Sequence, residues 1–304
     1  MAPDGMWSIG ELAEHAGVTV KTVRFYSDRG LLPETGRSSG GHRRYGPEAI
    51  ERLRLIRSLR SLDLPVPEVE RVLDREDALE DVIDGQLRDI GSQLAALRWR
   101  EAALQLLRDC SPEERADRLR LIGGMTTPPD TTALARFWRR VLPLRMPPKL
   151  TESIVDASVP QPPADPTPAQ VLAFARLHAL VTASGPDGRP WRPETRLPVD
   201  GFRPAELYEG LGEAYRLAEA DLRGRRAPRG GAALDCFVDA YARSIGTRDT
   251  PDFRRKLSGK LAAARDPWLE RYWRLAAELS PDPAVTTGTA HDWLRAALDD
   301  HVTD

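Results

Sequence analysis

Cysteine is scarce in this chain, and the two cysteines lie far apart. Cys110 and Cys236 are the only ones among 304 residues. Thiolate metal sites and iron–sulfur clusters need several grouped cysteines, so the sequence predicts neither, and we expect no metal and no cofactor. A buried and inert thiol is the simplest expectation for each residue.

Long apolar runs are also missing. No segment is long enough to cross a bilayer, and no hydrophobic signal segment is present. Together with the low cysteine content, this predicts a protein of the reducing cytoplasm that has no membrane partner.

Catalytic signatures are scarce as well. The chain contains no HExxH motif, no Walker-type phosphate loop and no GxGxxG motif. Its histidines have no metal-ligand spacing: His15 and His42 lie near the start, and His178, His291 and His301 are scattered beyond. The sequence therefore predicts no catalytic residues and a protein that is not an enzyme.

What is present is a helix–turn–helix pattern near the N-terminus. Ser8 and Glu11 form a capping box for a first helix, Gly17 supplies the sharp turn, and Thr19 is suited to cap a second helix. In the second helix, Val20, Val23 and Phe25 are expected to face inward. The outer face is then left to Lys21, Thr22, Arg24 and Tyr26.

A glycine-rich basic hairpin follows the second helix. It runs from Gly36 to Tyr45 and turns at Gly40-Gly41, and its cations are Arg37, Arg43 and Arg44. From residue 37 to residue 60 there are seven Arg and two Glu, although the net charge of the whole chain is only −2. Local positive charge attracts a polyanion, so this region predicts DNA binding by a winged helix–turn–helix. The alternative to DNA binding is a solvated basic helix face, and it applies best to Arg54, Arg57 and Arg60.

Residues 6–75 closely resemble the DNA-binding domain of the mercury-resistance-regulator (MerR) family. The motifs that carry the resemblance are SIGELAEHAGV, VRFYSDRGLLP, GGHRRY and YGPEAIERLRLIRSLRSLDLPVPEVERVL. The resemblance implies a bacterial transcription regulator that binds a palindromic promoter as a homodimer. It also implies an activator that distorts an over-long promoter spacer until RNA polymerase holoenzyme can use both promoter elements.

The same resemblance assigns Arg24 and Tyr26 to DNA contacts from the second helix, and Arg43 and Tyr45 to contacts from the wing. His42 stands where the family usually has Tyr, which puts that contact in doubt. The predicted DNA-binding residues are Thr19, Lys21, Thr22, Arg24, Tyr26, Arg37, His42, Arg43, Arg44 and Tyr45.

A dimerisation helix is predicted over residues 76–110. After a short helix at 65–73, apolar residues spaced by three and four form a coiled-coil seam, with Glu101 as a break. The seam residues are Ile83, Leu87, Ile90, Leu94, Leu97 and Leu104. A helix buried in a single globular core gives a similar pattern, and spacing does not show whether the paired helices run parallel or antiparallel.

Residues 111–304 predict an all-α C-terminal domain, because helix-capping signals recur at Ser111, Thr167 and Asp266. The expected fold class is mainly α: a winged helix–turn–helix with a small β-wing, a long dimerisation helix and this domain. Two proline-rich segments interrupt it. Residues 143–168 hold eight Pro, which predicts a linker. Residues 186–204 hold five Pro, which predicts a lid or an extended arm.

Aromatic residues in this domain suggest a pocket for a small hydrophobic or aromatic effector. The candidates are Trp138, Trp191, Tyr208, Tyr241, Trp268, Tyr272 and Trp273. Aromatics at helical spacing are more often core residues. Three hypotheses follow: a ligand-gated regulator, a regulator whose C-terminal domain binds a protein or only enlarges the dimer, and a DNA-targeted enzyme.

Overall fold

The computed structural model describes residues 5–75, 77–143, 146–183 and 201–303. In these ranges the chain forms fourteen helices and one small sheet. The N-terminal elements are β1 (Trp7–Ser8), α1 (Ile9–Ala16), α2 (Val20–Asp28), β2 (Gly36–Arg37), β3 (Arg43–Tyr45), α3 (Glu48–Ser61), α4 (Val66–Asp74) and α5 (Ala78–Arg108). The C-terminal elements are α6 (Pro112–Gly123), α7 (Thr132–Val141), α8 (Pro148–Ser158), α9 (Pro168–Thr182), α10 (Pro204–Arg223), α11 (Ala232–Ser244), α12 (Pro251–Ala263), α13 (Pro267–Leu279) and α14 (Thr287–Thr303).

The chain divides into two compact units, Met1–Gln93 and Leu94–Asp304. The division falls inside α5 and not at residue 111, where the predicted C-terminal domain begins. The reason is that Trp99, Ala102 and Leu106 of α5 pack into a core of the second unit. The last third of the predicted dimerisation helix is therefore also part of the C-terminal domain.

The first unit is a winged helix–turn–helix, which confirms the predicted fold class. Its three strands lie in the order β1-β3-β2, and both pairs are antiparallel. Arg37 pairs with Arg43 across the wing, as a hairpin that turns at Gly40-Gly41 requires. Leu12, Leu53 and Ile56 have no exposed surface and lie at the centre of the core beneath these strands.

Local capping chemistry sets the helix starts that the sequence predicts. Ser8 accepts from the Glu11 amide while the Glu11 carboxylate accepts from the Ser8 amide, and Ser111 with Glu114 repeats this arrangement. Thr167 and Asp266 likewise cap α9 and α13. Gly17 has a φ of 62°, a left-handed conformation that glycine adopts without a steric cost.

The proline-rich segment 143–168 is not a linker. It contains α8, and Val155 and Val159 of this segment are buried in a core of the second unit. The indole Nε1 of Trp99 donates to the carbonyl oxygen of Pro163 at 2.9 Å. Prolines here begin α8 and α9, where a missing N–H costs nothing, and the apolar residues between them pack like any other core residues.

The second unit has two apolar cores. One contains residues of α5, α7, α8, α9 and α13, and the other contains residues of α10, α11, α12 and α14. Helices α10 and α11 approach closely because Gly210 has no side chain. A Cβ built on Gly210 would lie 2.5 Å from the Cβ of Ala240. Most of segment 186–204, with Trp191, lies outside the described residues.

Replacing Gly210 by Ala tests this close approach. The added methyl overlaps Ala240, so we expect Gly210→Ala to destabilise the second unit by about 1–3 kcal/mol. Gly212→Ala is the matched control, because nothing lies within 4 Å of its Cβ and alanine favours a helix by up to about 1 kcal/mol. Thermal unfolding followed by circular dichroism measures both. Equal midpoints for the two variants would show that α10 and α11 are not in close contact.

Candidate nucleic-acid interface and C-terminal cavity

Helix α2 presents a different outer face from the one predicted. Val23 and Tyr26 are buried, whereas Val20 and Phe25 are 40% and 42% exposed. The predicted placement of Val20 and Phe25 inside and Tyr26 outside was wrong. Residues two apart, such as 23 and 25, point to opposite sides of an α-helix, whereas residues three apart share a side.

Two cations of α2 are free to meet a ligand. Lys21 and Arg24 are exposed, and neither has an ion-pair partner among residues 5–75. Phe25 lies beside them, and the Arg29 guanidinium stands 4.8 Å from the centre of its ring. Thr19 and Thr22 are occupied by capping, since their hydroxyls share a hydrogen bond of 2.9 Å.

The cations of the wing are largely paired within their own domain. Arg43 contacts Asp28 at 2.6 Å and Glu34 at 3.1 Å, and Arg37 contacts Glu34 at 2.8 Å. The hydrogen bond to Asp28 raises the pKa of Arg43 above its ordinary value. Because Asp28 ends α2, the Arg43–Asp28 pair ties the wing to the second helix.

The remaining predicted wing residues differ in their surroundings. His42 is exposed at the tip, where its amide donates to the Ser38 hydroxyl at 3.2 Å. Arg44 is half-buried, and no ion pair to it is found among residues 5–75. Among Arg37, Arg43 and Arg44, it is therefore the wing cation whose charge is least neutralised by carboxylates of its own domain.

Tyr45 is a core residue and is not part of the outer surface of the wing. Its side chain has no exposed area, and its hydroxyl lies 2.8 Å from that of Ser27. The Ser27 hydroxyl donates to the Leu32 carbonyl at 3.0 Å, so the Tyr45 hydroxyl is the donor to Ser27. The predicted DNA contact by Tyr45 is therefore contradicted, because burial leaves no surface of this side chain for DNA.

Several arginines of α3 serve the fold. Arg52 donates to the Leu31 carbonyl at 2.6 Å, Arg57 donates to the Ala16 carbonyl, and Arg60 donates to the Leu64 carbonyl. Carbonyl groups at the ends of helices and turns lack backbone partners, and guanidinium groups satisfy them. The count of seven Arg overstated the charge available to DNA, because these three guanidinium groups are bound to carbonyl oxygens of the fold.

The predicted seam of α5 is exposed in the single chain. The exposed fractions are 41% for Ile83, 62% for Leu87, 48% for Ile90, 44% for Leu94, 57% for Leu97 and 63% for Leu104. These side chains are therefore not buried in a core of their own chain, which was the alternative explanation of the pattern.

The predicted aromatic region divides into wall and core. Trp138, Tyr208, Tyr241 and Trp273 line a cavity of about 1430 Å³ in the second unit.

Tyr272 is fully buried. Its hydroxyl accepts from Trp138 Nε1 at 2.7 Å and donates to the Ser158 carbonyl at 2.8 Å. Trp268 stacks on Phe137 with 4.9 Å between ring centres and does not line the cavity. The prediction of ligand contact is therefore contradicted for Tyr272, because packing encloses it, and Trp191 lies outside the described residues.

Polar groups on α10, α11 and α14 also line this cavity, and two of them, His291 and Arg295, were not predicted as ligand contacts. His291 and Tyr215 share a hydrogen bond of 2.9 Å between the imidazole Nδ1 and the phenol oxygen. Burial, with a smaller contribution from Arg295, lowers the pKa of His291 to about 4, so the imidazole is neutral at pH 7. Burial also raises the pKa of Tyr241 above its ordinary value. Only the i, i+4 spacing of His291 and Arg295 on α14 hints at this cluster in the sequence.

Both cysteine thiols donate to backbone carbonyl groups. Cys110 is buried and donates to the Leu107 carbonyl at 3.2 Å, and burial raises the pKa of the Cys236 thiol. Over the described ranges, no three residues of the His, Cys, Asp and Glu types are grouped as metal ligands. None of the helices within those ranges is both long and apolar enough to span a membrane.

The first unit has the architecture of a winged helix–turn–helix DNA-binding domain, with two free cations on its second helix and a wing anchored to that helix. Residues 7–76 match the family model described as MerR HTH family regulatory protein. A ZntR homologue of Haemophilus influenzae is 31% identical over 121 residues, covering 38% of this chain and 90% of that regulator. The chain belongs to the MerR family of helix–turn–helix regulatory proteins.

Two further comparisons each cover part of the chain. The nodulation protein NolA of Bradyrhizobium sp. (strain NC92) is 38% identical over 114 residues, covering 37% of this chain. The chain spans 48% of the length of that NolA. The crystal structure of HiNmlR, a MerR family regulator lacking the sensor domain and bound to promoter DNA, has a TM-score of 0.24 and 26% identity. The match covers 30% of this chain and 75% of the HiNmlR chain.

Tyr45→Phe separates a role in the core from a role in DNA contact. Removing the hydroxyl deletes one buried hydrogen bond, so we expect the first unit to lose about 0.5–1.5 kcal/mol of stability. Affinity for DNA, measured by fluorescence anisotropy at a temperature where the variant is folded, is expected to change less than about twofold. A large loss of affinity at unchanged stability would place Tyr45 on the DNA.

Proposed function

We propose that this protein binds double-stranded promoter DNA as a homodimer and regulates transcription. The observation that carries the proposal is the outer face of α2, where Lys21 and Arg24 are exposed and unpaired beside Phe25. Cations that make no internal ion pair keep their full attraction for phosphate oxygens, and a helix of this kind fits the major groove. Phe25 adds an apolar surface of the sort that contacts thymine methyl groups.

The wing supports this assignment in a second way. Arg44 supplies charge, and the Arg43–Asp28 ion pair holds the wing in a defined position against the end of α2. Phosphate contacts from such a wing set the register of the recognition helix on the duplex. The exposure of His42 at the tip supports a contact with the flanking backbone.

Lys21→Ala tests the helix contact. Removing one phosphate contact should weaken binding to specific and random duplexes alike and reduce the slope of log K against log salt by about 1. Arg54→Ala is the matched control: Arg54 is an exposed cation of the same unit, but it is paired with Glu51 at 2.6 Å. Anisotropy titrations from low to moderate salt give both slopes. An unchanged slope for Lys21→Ala would remove α2 from the interface.

The exposed seam of α5 supports the homodimer. Six large aliphatic side chains, each at least 41% exposed, follow one helix at coiled-coil spacing. Burying such a stripe against a second copy removes apolar surface from water, at roughly 25 cal/mol per Å². A dimer then carries two recognition helices, which suits a palindromic promoter.

Leu87→Asp tests the seam. A charge placed at a buried coiled-coil position is costly, so we expect the dimer to dissociate at micromolar concentration and promoter affinity to fall at least about tenfold. Leu119→Asp is the control, because Leu119 is 51% exposed on α6 and lies outside the seam. Sedimentation velocity measures the oligomeric state. Dimers that persist in Leu87→Asp would argue for a different interface.

We also propose activation by DNA distortion, which the resemblance to the MerR family implies. Bending and untwisting a promoter spacer costs on the order of 1–6 kcal/mol, which added phosphate contacts offset. A dimer that holds the duplex in two shapes controls whether RNA polymerase holoenzyme meets both promoter elements in register. An over-long spacer in the bound promoter favours activation, and an ordinary spacer favours repression.

We further propose that the second unit is the effector-sensing part of the regulator. The support is a cavity of about 1430 Å³ with Trp138, Tyr208, Tyr241 and Trp273 in its wall, a size and lining suited to a bulky aromatic ligand. The competing hypothesis is that this unit binds a protein partner or only extends the dimer. Binding of a neutral aromatic probe, 2-naphthamide, in the cavity separates the effector hypothesis from the protein-partner hypothesis, and calorimetry measures it.

A further inference from the structure

The polar side chains of the cavity wall are mainly hydrogen-bond donors. Tyr208 and Tyr241 line the cavity, and within the described ranges neither hydroxyl has a hydrogen-bond partner. His291 and Arg295 lie one turn apart on α14 and also line it. These four residues define what we call the donor cluster.

The tautomer of His291 follows from its contact with Tyr215. The pair is 2.9 Å apart, and the described part of the chain offers the Tyr215 hydroxyl no other acceptor. The phenol proton is therefore satisfied when it is donated to Nδ1, which places the proton of the neutral imidazole on Nε2. Nε2 is then a further donor with no partner in the described chain.

Arg295 leaves a positive charge incompletely compensated. Its side chain is 16% exposed, and its ion pair with Asp292 is long, at 3.8 Å, to a carboxylate that is 70% exposed. A guanidinium that is withdrawn from water gains most from a second, close acceptor. Because Arg295 lines the cavity, a ligand in the cavity can supply this second acceptor.

The carboxylates around the cavity are poorly placed to attract a cation. Glu270 pairs with Arg265 at 2.8 Å, and Asp266 caps α13 by accepting from the Trp268 amide at 2.8 Å. Glu209 and Asp292 are exposed to solvent. The electrostatics of the wall therefore favour an anion over a cation.

We propose that the cavity binds an aromatic small molecule that carries a carboxylate, with the ring system against Trp138 and Trp273 and the carboxylate on the donor cluster. This rests on the proposed effector role of the second unit and narrows it to one chemical class. The carboxylate accepts from the Arg295 guanidinium, from the hydroxyls of Tyr208 and Tyr241 and from His291 Nε2. The indole faces supply the apolar contact.

Three probes of equal ring size test the class: 2-naphthoate, 2-naphthamide and 2-naphthylmethylammonium. Each is titrated by calorimetry into the purified 304-residue protein at pH 7.5. At this pH the first probe is an anion, the second is neutral and the third is a cation. Hydrogen bonds to a charged acceptor are stronger than those to a neutral one. We therefore expect naphthoate to bind at least about tenfold more tightly than the amide, and the ammonium compound to bind most weakly.

Variants locate the effect. Arg295→Met should remove the preference for naphthoate and leave the affinity for the amide within about threefold. Arg271→Met is the control, because Arg271 is exposed on α13 and does not line the cavity. Tyr241→Phe deletes one donor and should weaken the naphthoate more than the amide, because the carboxylate is the stronger acceptor. This variant keeps the test decisive where Arg295→Met fails to fold.

A second matched pair reports occupancy regardless of charge. Gly212 lines the cavity and Gly259 does not, and a Cβ on either residue meets nothing within 4 Å. Gly212→Phe should block all three probes, whereas Gly259→Phe should block none.

The proposal is overturned if the ammonium probe binds as tightly as naphthoate, if Arg295→Met keeps the preference, or if no probe binds. Amide binding that Gly212→Phe abolishes would still support the effector cavity when the charge preference fails. Promoter affinity measured without any probe tests the DNA-binding role separately.

Discussion

Helix α5 carries the constraint on which the rest of the molecule depends. It is 31 residues long, and its two ends belong to different cores: Val82 packs in the first unit, and Trp99, Ala102 and Leu106 pack in the second. The seam positions between and beside these residues stay exposed. One helix thus buries some faces within its own chain and leaves an apolar stripe exposed. In the proposed homodimer, a change at the seam acts on association, whereas a change at Trp99 acts on the fold.

Positive charge in the first unit has two uses that composition cannot separate. Arg52, Arg57 and Arg60 donate to carbonyl groups of the fold, and Arg43 holds the wing to α2 through Asp28. Lys21, Arg24 and Arg44 are left to attract a duplex. A guanidinium is suited to both uses because it is a multidentate donor and a permanent cation. Its partner decides which use prevails, and these partners lie up to 41 residues away in sequence.

The cavity of the second unit shows how far aromatic content predicts a site. Periodicity placed the aromatic residues on helices correctly, and four of those that lie in the described ranges are in the cavity wall. Tyr272 has the same spacing but is enclosed, because Trp138 and Ser158 satisfy its hydroxyl in the core. His291 and Arg295 of the donor cluster were not predicted, because nothing in the sequence distinguishes them from polar residues of a solvent-exposed helix face. Packing is what brings them to the cavity wall. Gly288 has no side chain, which leaves room for Trp273 in the cavity wall, since a Cβ on Gly288 would lie 2.6 Å from Trp273.

Local chemistry determined the helix starts, the turn at Gly17, the hairpin of the wing and the spacing of the seam, because each depends on residues within a few positions of one another. The N-terminal motifs, read together, were also sufficient to identify the MerR family. The tertiary structure decided which side of α2 is buried, that Tyr45 belongs to the core, and that the proline-rich segment 143–168 is packed and is not a linker. These outcomes depend on partners distant in sequence, where burial and hydrogen-bond satisfaction outweigh local preference.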